Sequence, residues 1–155
     1  QRVGISRQEA RKVIDDYYAT YKGVRRYMEE IPVQAREQGY VRSLYGRIRP
    51  LPGINDRNGN VRRAAEREAI NMPIQGTASD IVKMAMLRVD EAFRREKLNA
   101  EMLMQVHDEL LVECAAEDAE KVAATLKREM ENAVELDVPL IAEAGIGDNW
   151  MEVKH

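Results

Sequence analysis

Two short, almost wholly apolar runs, Met102–Val106 and Leu110–Cys114, are joined by His107-Asp108-Glu109. This pattern restricts the fold more than anything else in the chain. Runs of five apolar residues are too short for independent helices and fit strands buried in a sheet. The joint between such strands ordinarily carries Gly, Asn, Asp or Ser. Here it holds two adjacent carboxylates and no glycine, so charge is kept at the end of a rigid element. A hard cation with oxygen ligands suits that position, and Mg²⁺ takes only one or two protein carboxylates beside substrate phosphates. The ordinary alternative is a solvated hairpin tip, and two neighbouring acids alone leave that alternative favoured.

Helical segments surround this hairpin. Ser6-Arg7-Gln8-Glu9 has the form of a capping box, which opens a helix running to about Tyr21 and stopping near Gly23. A second helix is expected from Val24 to Gln38, kinked at Pro32 and ended by Gly39, with tyrosines 17, 18, 21 and 27 packed between the two. Tyr40–Leu51 alternates apolar and basic residues as a strand or hairpin does, and Asn55–Asn60 is a loop of turn formers. A helix from Val61 to Asn71 is then interrupted at Pro73 and Gly76. A longer one follows to Lys97, with a stripe of Ala78, Ile81, Val82, Ala85, Val89 and Ala92. Residues 117–134 form a further amphipathic helix with a stripe of Ala119, Val122, Ala123, Leu126, Met130 and Ala133. Leu140–Ile146 reads as a last strand, and Trp150 anchors the tail. The fold class is therefore α+β, helices packed on a small antiparallel sheet in a single domain over 1–155. No interdomain linker or internal repeat appears.

At 45% apolar and 33% charged residues the composition is that of a globular protein. No apolar run nears the roughly 18–20 residues of a membrane span, so no membrane partner is expected. The chain begins at Gln1 without a signal segment, which reads as a cut inside a longer protein. Its single cysteine, Cys114, fits a buried structural thiol in a reducing compartment.

The net charge of −3 disfavours nucleic acid as a partner, but its distribution favours it. Between Arg42 and Arg67 seven arginines face only Asp56 and Glu66, whereas Glu109–His155 holds twelve acids and four bases. The basic stretch contains no lysine, and arginine is the residue suited to bidentate phosphate contacts. A solvated charged face remains the competing reading. Within the stretch and just beyond it, Arg67, Asn71 and Gln75 are four residues apart and share a face of any continuous helix. Amide and guanidinium donors there suit the minor groove, where every base pair offers N3 or O2 acceptors, so a duplex is held without being read. Pro73 threatens this alignment, and taken alone the three residues fit an ordinary polar helix face better. Zinc and P-loop chemistry find no support: the second histidine is His155, there is no cysteine pair, and no Gly-x-x-x-x-Gly-Lys occurs.

Gln105-Val106-His107-Asp108-Glu109-Leu110 resembles motif C of the A-family DNA polymerases, the class of bacterial DNA polymerase I. Arg63-Ala64-Ala65-Glu66-Arg67, continuing through Asn71-Met72-Pro73-Ile74-Gln75-Gly76-Thr77-Ala78, is similar to the block upstream of that motif. Tyr40–Arg47 and Gly145–Trp150 resemble further blocks of the family in the right order. Ile48 and Pro50 depart from the more basic and aromatic stretch usual there, and Pro32 falls in a segment the family keeps helical.

The resemblance implies the C-terminal part of a polymerase, with residues 1–39 on the fingers side and 40–155, including hairpin 102–114, in the palm. Asp108 is then a catalytic carboxylate and metal ligand, with Glu109 in support. His107 meets the primer terminus, Arg67, Asn71 and Gln75 the duplex minor groove and backbone, and Arg47 and Arg49 the primer–template backbone. The implied chemistry is two-metal transfer of a nucleotide from a dNTP to a primer 3′-hydroxyl with Mg²⁺. The second aspartate and the nucleotide-binding helix would come from the remainder of the polymerase chain, leaving the 155 residues incomplete alone. The implied location is cytoplasmic, with the bacterial nucleoid. A non-catalytic duplex-DNA-binding module is the alternative function, and a plain helical scaffold ranks third.

Overall fold

The computed structural model describes Gly4 and residues 6–153. The chain divides into two compact units, 1–75 and 76–155, and the class is α+β as expected.

In the first unit, helix α1 spans Arg7–Thr20. The capping box is formed: Ser6 N–H donates to the Glu9 carboxylate at 2.8 Å and Glu9 N–H to Ser6 Oγ at 3.2 Å. These bonds, the one from the Ser6 backbone first, hold the Glu9 carboxyl below its ordinary pKa. Helix α2 spans Lys22–Gln38, so the break falls at Tyr21 rather than at Gly23. The helix continues past Pro32, which is buried, and ends at Gly39 with a left-handed φ of 79°. Tyr17, Tyr21 and Tyr27 do not fill an α1–α2 seam. Tyr17 and Tyr21 are half exposed and lie against each other, centroids 4.8 Å apart. Tyr27 instead donates its hydroxyl to the Ile70 carbonyl at 2.7 Å, and burial pushes its phenol pKa up.

Strands β1 (Tyr40–Arg42) and β2 (Ile48–Pro50) pair antiparallel, Tyr40 opposite Pro50 and Arg42 opposite Ile48. Gly46 N–H donates to Ser43 C=O at 3.0 Å, and Gly46 has φ 84°. A turn of this kind ending in a left-handed residue is the usual three-residue hairpin loop, and glycine takes that φ without steric cost. The core behind it comprises Ala35, Val41, Leu51, Ile54, Ala65 and Ala69, with Ile31 and Met72 packed against it.

The predicted interruption at Pro73 and Gly76 does not occur. Helix α3 runs unbroken from Gly59 to Glu96, 38 residues, or about 57 Å at 1.5 Å per residue. A mid-helix proline costs about 3 kcal/mol through one lost N–H bond and one clash. Burial of Ala65 and Ala69 before it, and of Ala85, Val89, Ala92 and Phe93 after it, holds the helix together. The end of α3 is a Schellman turn. Lys97 has φ 54°, Leu98 N–H reaches Phe93 C=O at 2.9 Å, and Leu98 packs on the core containing Phe93.

In the second unit, β3 (Ala100–Val106) and β4 (Glu109–Cys114) form the expected hairpin, with a register shift between Met102 and Met104. Burial on both faces is not found. Ala100, Met102, Val112 and Cys114 pack against Val89, Phe93 and Val122, whereas Leu103 is 51% and Met104 42% exposed. Two-sided burial needs a layer on each side, and the described residues of this unit provide one. Cys114 is accordingly half-buried.

A one-turn 3₁₀ helix, Ala116–Asp118, leads into α4 (Ala119–Glu131). The predicted apolar stripe of this helix is only half the story, because Thr125 and Glu129 are buried beside Val122. Glu129 meets Arg128 at 3.1 Å, Arg95 at 3.4 Å and Arg88 at 3.5 Å. Arg128 also meets Glu96 at 2.6 Å, and Thr125 Oγ1 donates to Glu96 at 3.3 Å. Burial pushes the Glu96 pKa up, but the Arg128 charge and the hydrogen bonds outweigh it and hold the carboxyl below its ordinary value.

The last predicted strand is absent: residues 140–147 have no regular secondary structure. An extended run becomes a strand only with a ladder partner, and this one is tethered by a bond from Ala142 N–H to the Glu131 carboxylate, 3.1 Å. Helix α5, Trp150–Val153, is capped by Asn149, whose Oδ1 accepts from Met151 and Glu152 N–H.

Replacing Glu129 by Ala should lower the unfolding free energy by about 1–3 kcal/mol, measured by urea denaturation at pH 7, because three arginines lose a buried acceptor. For Glu96 the depressed pKa gives a stabilising contribution that is complete above the ordinary carboxylate range and is lost as pH falls through the folded-state value. The stability difference between wild type and Glu96→Gln should therefore be flat near neutrality and shrink on acidification. A difference that grew with falling pH would contradict the ion pairing.

Candidate functional site

Helix continuity settles the alignment that Pro73 had threatened. Arg67, Asn71 and Gln75 lie on one stretch of unbroken helix, drifting about 40° per four residues. All three are exposed. Asn71 and Gln75 line an open groove of about 670 Å³ together with Arg47, Ile48, Arg49, Glu68 and Met72. Arg67 lines a second groove, of about 470 Å³, with Arg36, Arg63 and Glu66 over an apolar floor of Met28, Pro32 and Ile70. Four of the five sequence-predicted polar residues of this unit thus converge, and the fifth faces the neighbouring depression.

Local structure explains why Arg47 and Arg49 are presented to that groove. Arg47 immediately precedes β2 and Arg49 lies within it, and both line the groove together with Ile48. The main chain of Arg47 is fixed at both ends by Ser43: its C=O accepts from Ser43 N–H at 2.9 Å, and its N–H donates to Ser43 Oγ at 3.1 Å. Ser43 is buried, at 6% exposure. Sequence reasoning misses this serine, although a small hydroxyl residue beside a predicted turn is a recognisable signal. Arg49 donates from Nε to Glu68 Oε1 at 2.8 Å, with Nη2 at 2.5 Å from the same oxygen. Glu68 is missed as well.

The second group of predicted residues forms the β3–β4 turn. Val106 pairs with Glu109, leaving His107-Asp108 as a two-residue loop. His107 has φ 55°, in the left-handed region that costs most residues about 1 kcal/mol or more. Histidine tolerates it better than bulky or β-branched residues do. The Gln105 side-chain amide holds the turn by donating to the His107 carbonyl at 2.9 Å. His107, Asp108 and Glu109 are all exposed. Among the described residues no group of three or more His, Cys, Asp or Glu side chains is arranged to hold a metal. A single exposed aspartate at a rigid turn fits one partner of a shared Mg²⁺ site, which draws its other ligands from phosphates, water or another carboxylate.

The DNA polymerase family A model matches residues 1–152. The chain belongs to DNA polymerase family A. It is 48% identical over 152 residues to DNA polymerase I of Pseudomonas aeruginosa, a match covering 98% of this chain and 17% of that protein. To DNA polymerase I of Deinococcus radiodurans it is 50% identical, over 98% of this chain and 16% of the relative. The POL domain of Pol1 from M. smegmatis, solved in complex with DNA primer-template and dNTP, superposes with a TM-score of 0.92 at 41% identity. That match covers 100% of this chain and 27% of the other. The chain thus spans about one-sixth of the length of these curated relatives. No helix among the described residues is long and apolar enough to cross a membrane.

His107→Gly should leave thermal stability unchanged or raise it by up to about 1 kcal/mol, because the strained φ is relieved. A clear loss on melting would show that the histidine side chain, rather than the backbone, stabilises the turn.

Proposed function

We propose that the chain is the C-terminal part of a template-directed DNA polymerase, supplying a grip on the primer–template duplex and one metal-binding carboxylate of the nucleotidyl-transfer site. The observation that carries the reading is the groove of Arg47, Arg49, Asn71 and Gln75 in a chain that matches family A polymerases almost end to end. Residues 1–39 belong to the fingers side and 40–155 to the palm. The similar POL domain from M. smegmatis, in complex with DNA primer-template and dNTP, supports both as partners of the parent enzyme.

Each residue has a definite task in this reading. Asn71 and Gln75 donate amide N–H groups to minor-groove acceptors common to all base pairs, so the duplex is held without sequence preference. Arg67 adds a guanidinium further along the same helix, at the duplex and its backbone, while Arg47 and Arg49 meet phosphates. His107, on its left-handed backbone, contacts the primer terminus. Asp108 holds the metal and Glu109 supports it by keeping the turn anionic. Bound Mg²⁺ supplies Lewis-acid activation of the primer hydroxyl and charge neutralisation at the triphosphate. The second aspartate and the nucleotide-binding helix come from elsewhere in the polymerase, and the activity is that of a cytoplasmic, nucleoid-associated enzyme.

Asp108→Ala in the full-length polymerase should reduce primer extension by orders of magnitude while primer–template affinity changes little. Unaltered extension would remove Asp108 from the metal site. Gln75→Ala and Arg67→Ala should weaken binding to all duplex sequences alike, and a sequence-selective loss would contradict minor-groove holding. The isolated 155 residues should not extend a primer. Extension by them would refute the division of the site. A non-catalytic duplex-binding module would instead bind primer–template with steep salt dependence and never extend it in any length of the chain.

A further inference from the structure

The groove contains an acid that a simple phosphate grip does not call for. Of its seven lining residues two are arginines and one is Glu68, so its formal charge is +1 rather than +2. Glu68 is on α3 between Arg67 and Asn71, and its carboxylate holds the Arg49 guanidinium through Nε and Nη2, leaving the Nη1 edge outside the pair. Both side chains remain about half exposed, 57% for Arg49 and 43% for Glu68. Ion pairs of that exposure are weak and are opened by competing charges. A polyanion entering the groove meets an occupied arginine and a repelling carboxylate side by side. Arg49 can neutralise a phosphate fully only after Glu68 lets it go.

We propose that Glu68 is a built-in competitor of the nucleic-acid backbone for Arg49. It parks the guanidinium over the groove floor and limits both the strength and the salt sensitivity of the grip. The idea rests on the duplex-binding reading above and adds a residue that tunes it. A polymerase must release and re-engage its duplex as it moves, and an internal counter-charge limits how tightly each register is held.

The test uses full-length polymerase containing this chain, with binding to a fluorescent primer–template duplex measured across a salt series. Glu68→Gln keeps size and helix propensity at a half-exposed helical position, so folding is not at issue. It should tighten binding roughly two- to five-fold at low salt. It should also steepen the slope of log K against log salt by about 0.9, the signature of one additional phosphate neutralised. Glu68→Asp, which keeps the charge, should stay within error of the wild-type slope. In an Arg49→Ala background Glu68→Gln should leave the slope unchanged. If Glu68→Gln weakens binding or leaves the slope as it was while Arg47→Ala still weakens binding, Glu68 merely positions Arg49 and the proposal is overturned. If Arg47→Ala and Gln75→Ala are also without effect, the duplex-binding reading falls and takes this inference with it.

Discussion

Helical continuity through Pro73, despite the hydrogen bond lost there, is the constraint on which the groove depends. Gln75 keeps a fixed direction relative to Glu68 and Asn71 only because α3 continues past a residue that cannot donate its own N–H. The helix is held from behind by small residues. Ala65 and Ala69 are buried against Ala35, Val41, Leu51 and Ile54, and alanine at these positions lets α2 and the β1–β2 hairpin come close. The hydroxyl of Tyr27 on the Ile70 carbonyl adds a polar tie three residues before the proline. Packing on one face thus fixes the chemistry displayed on the other.

Charge is arranged in this molecule by opposition rather than by accumulation. The arginine-rich stretch reads as a simple positive patch, yet its Arg49 is paired with Glu68, and Arg36 of α2 is likewise paired with Glu66. In the other unit the same logic runs in reverse, with buried Glu129 surrounded by Arg88, Arg95 and Arg128. The two cases differ in solvent access. An exposed pair exchanges partners at small cost, whereas a nearly buried carboxylate cannot lose its arginines without a large desolvation penalty. One arrangement is suited to contact with a ligand and the other to joining α3 to α4.

Much of the fold is legible in the sequence where local rules act alone. The Ser6–Glu9 capping box and the stop at Gly39 each follow from a few adjacent residues, and the β3–β4 hairpin follows from two apolar runs flanking a polar joint. The differences between expectation and structure share another origin. Pro73 reads as a break because its local cost is visible in the sequence, while the packing on both sides of it is not. Leu103 and Met104 read as part of a buried sheet because apolar composition does not reveal how many layers are present. Leu140–Ile146 resembles a strand, but pairing is a property of a partner elsewhere. Of the candidate site, Arg47, Arg49, Asn71, Gln75 and the His107–Glu109 turn all stand out in the sequence. Ser43 and Glu68 do not, because their importance arises from contacts made across a turn and between elements.

The buried hydroxyl of Ser43 has a thermodynamic corollary for whatever the groove receives. With both main-chain polar groups of Arg47 engaged, the backbone under that side chain is ordered when the chain folds. The entropy of fixing it is therefore absent from the association step, where only side-chain rotamers remain to be frozen. A cation carried on such a pinned loop loses less freedom on contact than one on a mobile tail. Its attraction is delivered as affinity instead of being consumed in ordering the chain.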